Sequence, residues 1–209
     1  MAINDDSVFF AEYGTVFYAE VGTPLPATGL KAFHLTDAEV ASSESQKKWK
    51  NLGHTSNSNK LEISLEGGES EAFRSWLKSN LKTKKSSDGS MTVTANALQM
   101  DAETLTLIFN GRATANGVGA NINSDPKPLA LVVITQEAQN AANPEFGFYF
   151  PKTKATPSGG PQLNGDFIEQ GVVFTVESPG TGKDDFEFML LNGDQKAAST
   201  TGGGAPAGK

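Results

Sequence analysis

The sequence predicts a mainly β, antiparallel fold with a single short helix, and three observations carry that reading. The 209 residues include 22 glycines and 10 prolines, spread along the chain, and these residue types mark turns. Thirteen phenylalanines suit a pleated, half-buried surface. Residues 60–66, KLEISLE, alternate with a period of two: Leu61, Ile63 and Leu65 share one face, Lys60, Glu62, Ser64 and Glu66 the other. The length suits one large domain or two small ones. No composition shift divides the chain, so we read one domain over residues 1–192. A Gly/Ala/Ser/Thr-rich tail over 193–209 follows, with no core-forming side chain.

The elements follow in order. Residues 7–21, SVFFAEYGTVFYAEV, read as a strand with Phe9, Ala11, Tyr13, Phe17 and Ala19 on one face and Val8, Phe10, Val16 and Tyr18 on the other. Apolar residues on both faces imply a central strand, or one that meets another subunit. Gly14 reads as a bulge or bend. VGTPLPATG (21–29) stops the strand. Residues 36–48 carry a capping-box pattern, Thr36 to Glu39, so a short helix and a solvated connector are both open. After the 60–66 strand and Gly67-Gly68, the stretch 69–82 fits helical spacing (Phe73, Trp76, Leu77, Leu81) and strand alternation alike. Ser90 to Leu98 is a second strand, with Met91, Val93, Ala95 and Ala97 against Thr92, Thr94 and Asn96. The helix is placed at 101–110: Asp101 caps it, Ala102, Leu105, Ile108 and Phe109 form the buried stripe, and Gly111 stops it. A loop at 116–128 precedes strands at 129–136, 145–151, 165–177 and 185–191.

Chemistry is sparse. The chain has no cysteine, which excludes disulfides, thiolate metal sites and cysteine nucleophiles. His34 and His54 sit beside turn signals without a G-x-S-x-G elbow or an H-x-x-x-H spacing. PGTGKDD (179–185) departs from a phosphate loop, with Glu177 where the first Gly belongs and Asp184 where Ser or Thr belongs; it reads as a turn. Asp5-Asp6 and Asp184-Asp185 lie outside any EF-hand pattern. Neither an enzyme nor a cofactor or metal site is expected. No window reaches the roughly 20 apolar residues of a membrane span, and the N-terminus lacks the basic and apolar regions of a signal peptide. Net charge is −7, which argues against tight binding to a nucleic-acid backbone. Lys78, Lys82, Lys84 and Lys85 form the basic cluster; they can protect a sheet edge or meet an acidic patch on a partner.

Several stretches, in this order, resemble the major tail protein, or tail tube protein, of long-tailed non-contractile bacteriophages, particularly those of actinobacterial hosts. They are the N-terminal aromatic strand running into Val21-Gly22-Thr23-Pro24-Leu25-Pro26, and Trp49-Lys50-Asn51-Leu52-Gly53-His54-Thr55-Ser56. Leu65-Glu66-Gly67-Gly68-Glu69 with Trp76 and Leu81 comes next. Met91-Thr92-Val93-Thr94, leading into Leu98 through Gly111, closes the series. The resemblance covers residues 8–111 best.

The resemblance implies a β-sandwich flanked by a helix, assembled as hexameric rings whose inner sheets join into one continuous β-barrel. The rings stack into a hollow tube through which DNA is ejected. It also implies a virion tail location after assembly in the host cytoplasm, with tape measure, tail terminator and distal tail proteins as partners and no membrane. It favours strand over helix for Phe73 to Lys78. On this reading Phe9, Phe10, Tyr13, Phe17 and Tyr18 are candidates for the subunit interface. DNA in transit should not stick, so a lumen of acids and small polar groups is expected. The wet face of one or other alternating strand, with Glu62, Ser64 and Glu66 or Thr92, Thr94 and Asn96, is the candidate lining, and ordinary outward-facing polar positions are the competing reading. Two other readings stay open: a secretion-type tube ring protein of similar fold, and a β-sandwich ligand-binding module using Trp49 and Trp76.

Overall fold

A computed structural model describes residues 8–44, 46–139, 141–163 and 166–190, and gives no side-chain detail at 80 and 85. The proposed tail over 193–209 lies outside the described residues, as do the ends of the strands expected at 7, 165 and 191.

Thirteen strands and one α-helix make up the described fold. The strands are β1 (Tyr13–Glu20), β2 (Glu39–Ala41), β3 (Lys48–Asn51), β4 (Glu62–Glu66), β5 (Ser70–Ser75), β6 (Lys78–Lys85) and β7 (Ser90–Ala97). The helix α1 (Ala102–Phe109) follows. Then come β8 (Arg112–Thr114), β9 (Gly117–Gly119), β10 (Pro128–Gln136), β11 (Phe146–Pro157), β12 (Gln170–Val176) and β13 (Glu187–Leu190). Nine strands form one antiparallel sheet in the order β2-β3-β1-β10-β11-β12-β7-β4, with β13 also paired to β11. β5–β6 and β8–β9 are separate hairpins.

The sheet folds into a sandwich around the first of two core clusters. Val16 of β1 and Leu131 and Val133 of β10 meet Val93, Ala95, Val172 and Phe174 of β7 and β12, with Ile108 of α1 closing the space. The second cluster lies on the opposite side of β1 and β10. Phe17, Ala130, Val132 and Ile134 pack there on Leu30, Phe33, Val40 and Trp49. The rings of Phe17 and Phe33 lie 5.1 Å apart, and those of Phe33 and Trp49 6.0 Å, both edge to face. Each fully buried aromatic contributes roughly 1.5–3 kcal/mol by leaving water. β1 is therefore a central strand with both faces covered by its own chain.

β11 joins the two halves. Its first part pairs with β10 on one side and β13 on the other; its last part passes to β12. Between Phe150, opposite Leu131, and Thr153, opposite Leu129, two residues face the single Ala130. This bulge holds Pro151 and Lys152, and Pro has no N–H to lose from a ladder. The extra residue resets the alternation, so Phe150 and then Thr153 and Ala155 all turn inward and are buried.

Several expectations are corrected. β1 begins at Tyr13, so Phe9 and Phe10 precede the strand. Gly14 lies in regular register with Thr135 rather than at a bulge; a Cβ there would meet the Ile134 carbonyl oxygen at 3.0 Å. Residues 36–48 form neither a helix nor a simple connector, because Val40 is drawn into the second cluster and β2 pairs with β3. Residues 116–128 contain β9. β11 continues through Pro151 to Pro157 instead of stopping at 151.

The helix is capped as expected. Asp101 Oδ1 accepts the Thr104 backbone N–H at 2.8 Å. Asn110, left-handed at φ 47, ends it, and Gly111 N–H donates to Thr106 O. Its inward stripe differs: Thr104 and Ile108 are buried, Leu107 and Phe109 lie against the first cluster, and Ala102 is exposed.

Asn51 fastens the loop over β1 and β3. Its Oδ1 accepts from Thr15 Oγ1 at 2.7 Å and from Gly53 N–H at 2.9 Å. Its Nδ2 donates to Leu35 O at 3.1 Å and Asp37 O at 3.0 Å. Asn51→Ala removes four partners at once and is expected to cost about 2 kcal/mol or more. A lower urea midpoint at unchanged m-value is the readout; an unaltered midpoint would contradict this role.

Candidate assembly surfaces

β4 and β7 pair in a register that sets Glu62 opposite Thr94, Ser64 opposite Thr92 and Glu66 opposite Ser90. Directly opposed residues in an antiparallel pair share a face. The ladder continues into β12, where Thr92 meets Thr175, Thr94 meets Val173 and Asn96 meets Gly171. Thr175 in turn faces Lys154 of β11. All six residues predicted to line a lumen thus lie on one contiguous wet face. Glu62 and Glu66 are exposed; Ser64, Thr92, Thr94 and Asn96 are half-buried. The opposite face of β7 carries Val93, Ala95 and Ala97 into the core.

This surface extends beyond the residues named from the sequence. Lys152 Nζ lies 3.1 Å from Glu177 Oε2. Lys154 Nζ lies 3.5 Å from Glu177 Oε1 and 3.2 Å from Asp125 Oδ1. The paired lysines hold the Glu177 carboxyl below its usual range, the Lys152 hydrogen bond foremost. Asp125, with Glu177 behind it, raises Lys154. The alternating run Lys152-Thr153-Lys154 was the available signal, hidden by ending the strand at Pro151.

At one end of the face a carboxylate secures the loop before β4. Glu169 Oε1 accepts from Ser56 Oγ and Oε2 from Asn59 Nδ2, both at 2.7 Å. Ser56 N–H donates to Asn96 O at 2.8 Å.

The five aromatic residues read as a subunit interface divide. Phe17 is fully buried in its own chain, which corrects its placement at an interface surface. Tyr18 is half-buried, and its hydroxyl donates to Glu103 Oε1 at 3.0 Å. Burial, then the charge and hydrogen bond of Glu103, raise its pKa. Lys50 shares the same Glu103 oxygen, tying α1 to β1 and β3. Phe9, Phe10 and Tyr13 remain exposed at 44%, 61% and 42%. Phe9 stacks on Phe146 at 5.8 Å, at the open end of a ladder of rings through Phe148 and Phe188.

The stretch 69–82 is a hairpin. Strand holds through Ser75, and Trp76 and Leu77 form the turn, so one continuous strand from Phe73 to Lys78 is corrected. Every residue of β5 is exposed, and Trp76 and Leu77 at the tip are wholly so. Among the described residues no side chain of β5 or β6 joins either core cluster. The base is pinned by Ser86 N–H to Glu69 O at 2.8 Å and Glu69 N–H to Ser87 Oγ at 2.9 Å. Backbone passes so close there that a Cβ on Gly68 would clash with Ser87 O, and one on Gly89 would meet Glu66 O at 2.9 Å.

His54 lines a recess of about 640 Å³ with Tyr13, Asp37, Lys50 and Glu103. No group of three or more His, Cys, Asp or Glu placed to hold a metal ion occurs among the described residues, and no described helix is long and apolar enough to cross a membrane.

A family model described as phage tail tube protein matches residues 1–200. The chain belongs to the phage tail tube protein family. It is 34% identical over 137 residues to the major tail protein Gp23 of Mycobacterium phage D29, covering 64% of this chain and 68% of that protein. The same protein of Mycobacterium phage L5 matches with the same identity and coverage. The tail tube family is structural rather than enzymatic, and this member is a component of the virion tail.

Glu169 generates a pH expectation. The Ser56 hydroxyl, then the Asn59 amide, hold its carboxyl below the usual glutamate range. A depressed folded pKa means the clamp is present above the unfolded value and is lost as pH falls through the folded one. NMR signals of Ser56 and Asn59 are therefore expected to titrate below the ordinary glutamate range, and Glu169→Gln to abolish that titration. A titration that persists in the variant would assign the effect elsewhere.

Proposed function

We propose that six copies of this tail tube protein form a ring, that rings stack into the hollow tail tube, and that the wet face of β4, β7, β12 and the end of β11 lines the lumen through which DNA passes. The observation that carries this reading is the contiguous polar face of Glu62, Ser64, Glu66, Thr92, Thr94 and Asn96 on a sheet half whose other side is core. Among the described residues β4 ends the sheet path and β13 pairs with β11 alone, so each offers an unpaired edge there. Open edges are templates for pairing, and a ring closed through these two would cover both. Six copies at −7 each carry −42, a charge suited to keeping a polyanion in motion.

The β5–β6 hairpin supports assembly in a second way. An isolated two-stranded hairpin is at best marginally stable in water, and this one ends in a bare Trp76-Leu77 tip. In the tube that tip is buried against another copy. Tape measure, terminator and distal tail proteins would be further partners of the finished stack.

Two expected outcomes test these points. Trp76→Ser with Leu77→Ser should leave the thermal unfolding transition of the subunit in place while abolishing tubes in negative-stain micrographs; tubes of normal length would remove the hairpin from assembly. For the lumen, the cysteine-free chain permits a single Thr94→Cys probe. Its thiol should react with a maleimide on a large polymer before assembly and be protected in tubes, while a small maleimide reaches both. Equal labelling by the polymer in tubes would put this face outside.

A further inference from the structure

The wet face contains a feature that a DNA conduit should not tolerate. Two lysines, Lys152 and Lys154, stand beside the ladder that runs through Thr175 and Thr92. Exposed lysines release counterions when they meet phosphate, which is what drives sequence-independent adhesion to DNA. Here neither lysine is free. Glu177 takes one ammonium on each carboxylate oxygen, at 3.1 and 3.5 Å, and Asp125 takes Lys154 from the other side at 3.2 Å.

The two carboxylates are not equivalent. The Asp125 side chain is 84% exposed, whereas that of Glu177 is 31% exposed, close to Lys152 at 32% and Lys154 at 29%. Glu177 is also fixed by its backbone, since its N–H donates to Lys152 O at 3.0 Å. The β11 bulge at Pro151 and Lys152 turns both lysines to this side of the sheet, and Glu177 follows β12 directly. One carboxylate is thus held by main chain between two cations.

We infer that Glu177 is a charge mask: together with Asp125 it balances Lys152 and Lys154, and so keeps this face from adhering to the phosphate backbone. The ion pairs contribute little to stability, as exposed pairs generally do; their consequence is that Lys152 and Lys154 do not face the polyanion uncompensated. This inference deepens the lumen reading and rests on it for its biological meaning, while the masking itself is a property of the subunit surface.

Binding of a short, fluorescently labelled DNA duplex, followed by anisotropy across about 25–200 mM NaCl, tests it with the full-length protein. Wild type is expected to leave the duplex free throughout. Glu177→Gln should bind at least tenfold more tightly at the lowest salt. Its log–log salt slope should be about −0.9 for each copy engaged, one phosphate for the single lysine charge that Asp125 leaves unbalanced. Glu177→Gln with Lys152→Gln and Lys154→Gln should return to wild-type behaviour, with all variants sharing the wild-type unfolding midpoint. The mask is overturned if Glu177→Gln binds no more tightly than wild type, or if the triple variant keeps the gain. The Thr94→Cys labelling separates the two readings: polymer labelling in tubes removes the lumen, whereas an unchanged anisotropy in Glu177→Gln removes the mask.

Discussion

A proline without an N–H to donate sits in the middle of the longest strand, and the sheet is organised around it. Pro151 and Lys152 oppose the single Ala130, so β11 gains a residue where its partner changes from β13 to β12. Without that insertion the alternation of Phe146, Phe148 and Phe150 would continue into Lys152 and Lys154, driving two ammonium groups toward a core of Leu131, Phe174 and Val172. Burying an unpaired charge costs far more than any local packing returns. The bulge instead turns Thr153 and Ala155 inward, with Thr153 Oγ1 donating to Leu129 O at 3.1 Å. The lysines face water.

From that bend follow two sheet halves with different outer faces. The β1–β10 half is covered on its outer side by the loop after β1, the 3-10 turn at Gly29–Ala32, and Trp49, whose indole Nε1–H donates to Pro24 O at 3.1 Å. The β7–β12 half stays uncovered and polar. One continuous sheet thereby supplies both a double-sided core and a bare surface. Apolar burial holds the first; the second is shaped by which side chains must remain hydrated.

Function in a structural subunit resides in surfaces, and the charges here are arranged accordingly. Ion pairs such as Lys50–Glu103, with Tyr18 donating to the same carboxylate, tie elements together at the helix side. Glu169 and Glu177 manage the edges of the wet face, one gripping a loop through Ser56 and Asn59, the other holding two lysines. The hairpin β5–β6 does the opposite. Among the described residues nothing covers its Trp76 and Leu77, and exposed apolar groups placed together are the kind of surface that other molecules use.

Much of this was legible from local pattern. Alternation in 60–66 and 90–98 fixed two strands and the shared sign of their wet faces, because a period of two leaves no other arrangement when one side must be buried. Asp101 and the Asn110-Gly111 pair marked the helix ends through hydrogen bonds made within a few residues. Other features depended on partners far along the chain. Val40 becomes strand because Trp49 and the second cluster lie beside it; Phe17 is core rather than interface because the loop after its strand folds back over it. The turn at Trp76-Leu77 and the addition of Lys152, Lys154 and Glu177 to the wet face required the pairing of β5 with β6 and of β11 with β12. The β class, the helix and the polarity of individual strand faces could be read from the residues alone, since each rests on contacts between near neighbours. Which faces became one surface depended on the assembled fold, because register and bulges are set by the whole sheet and not by any one of its strands.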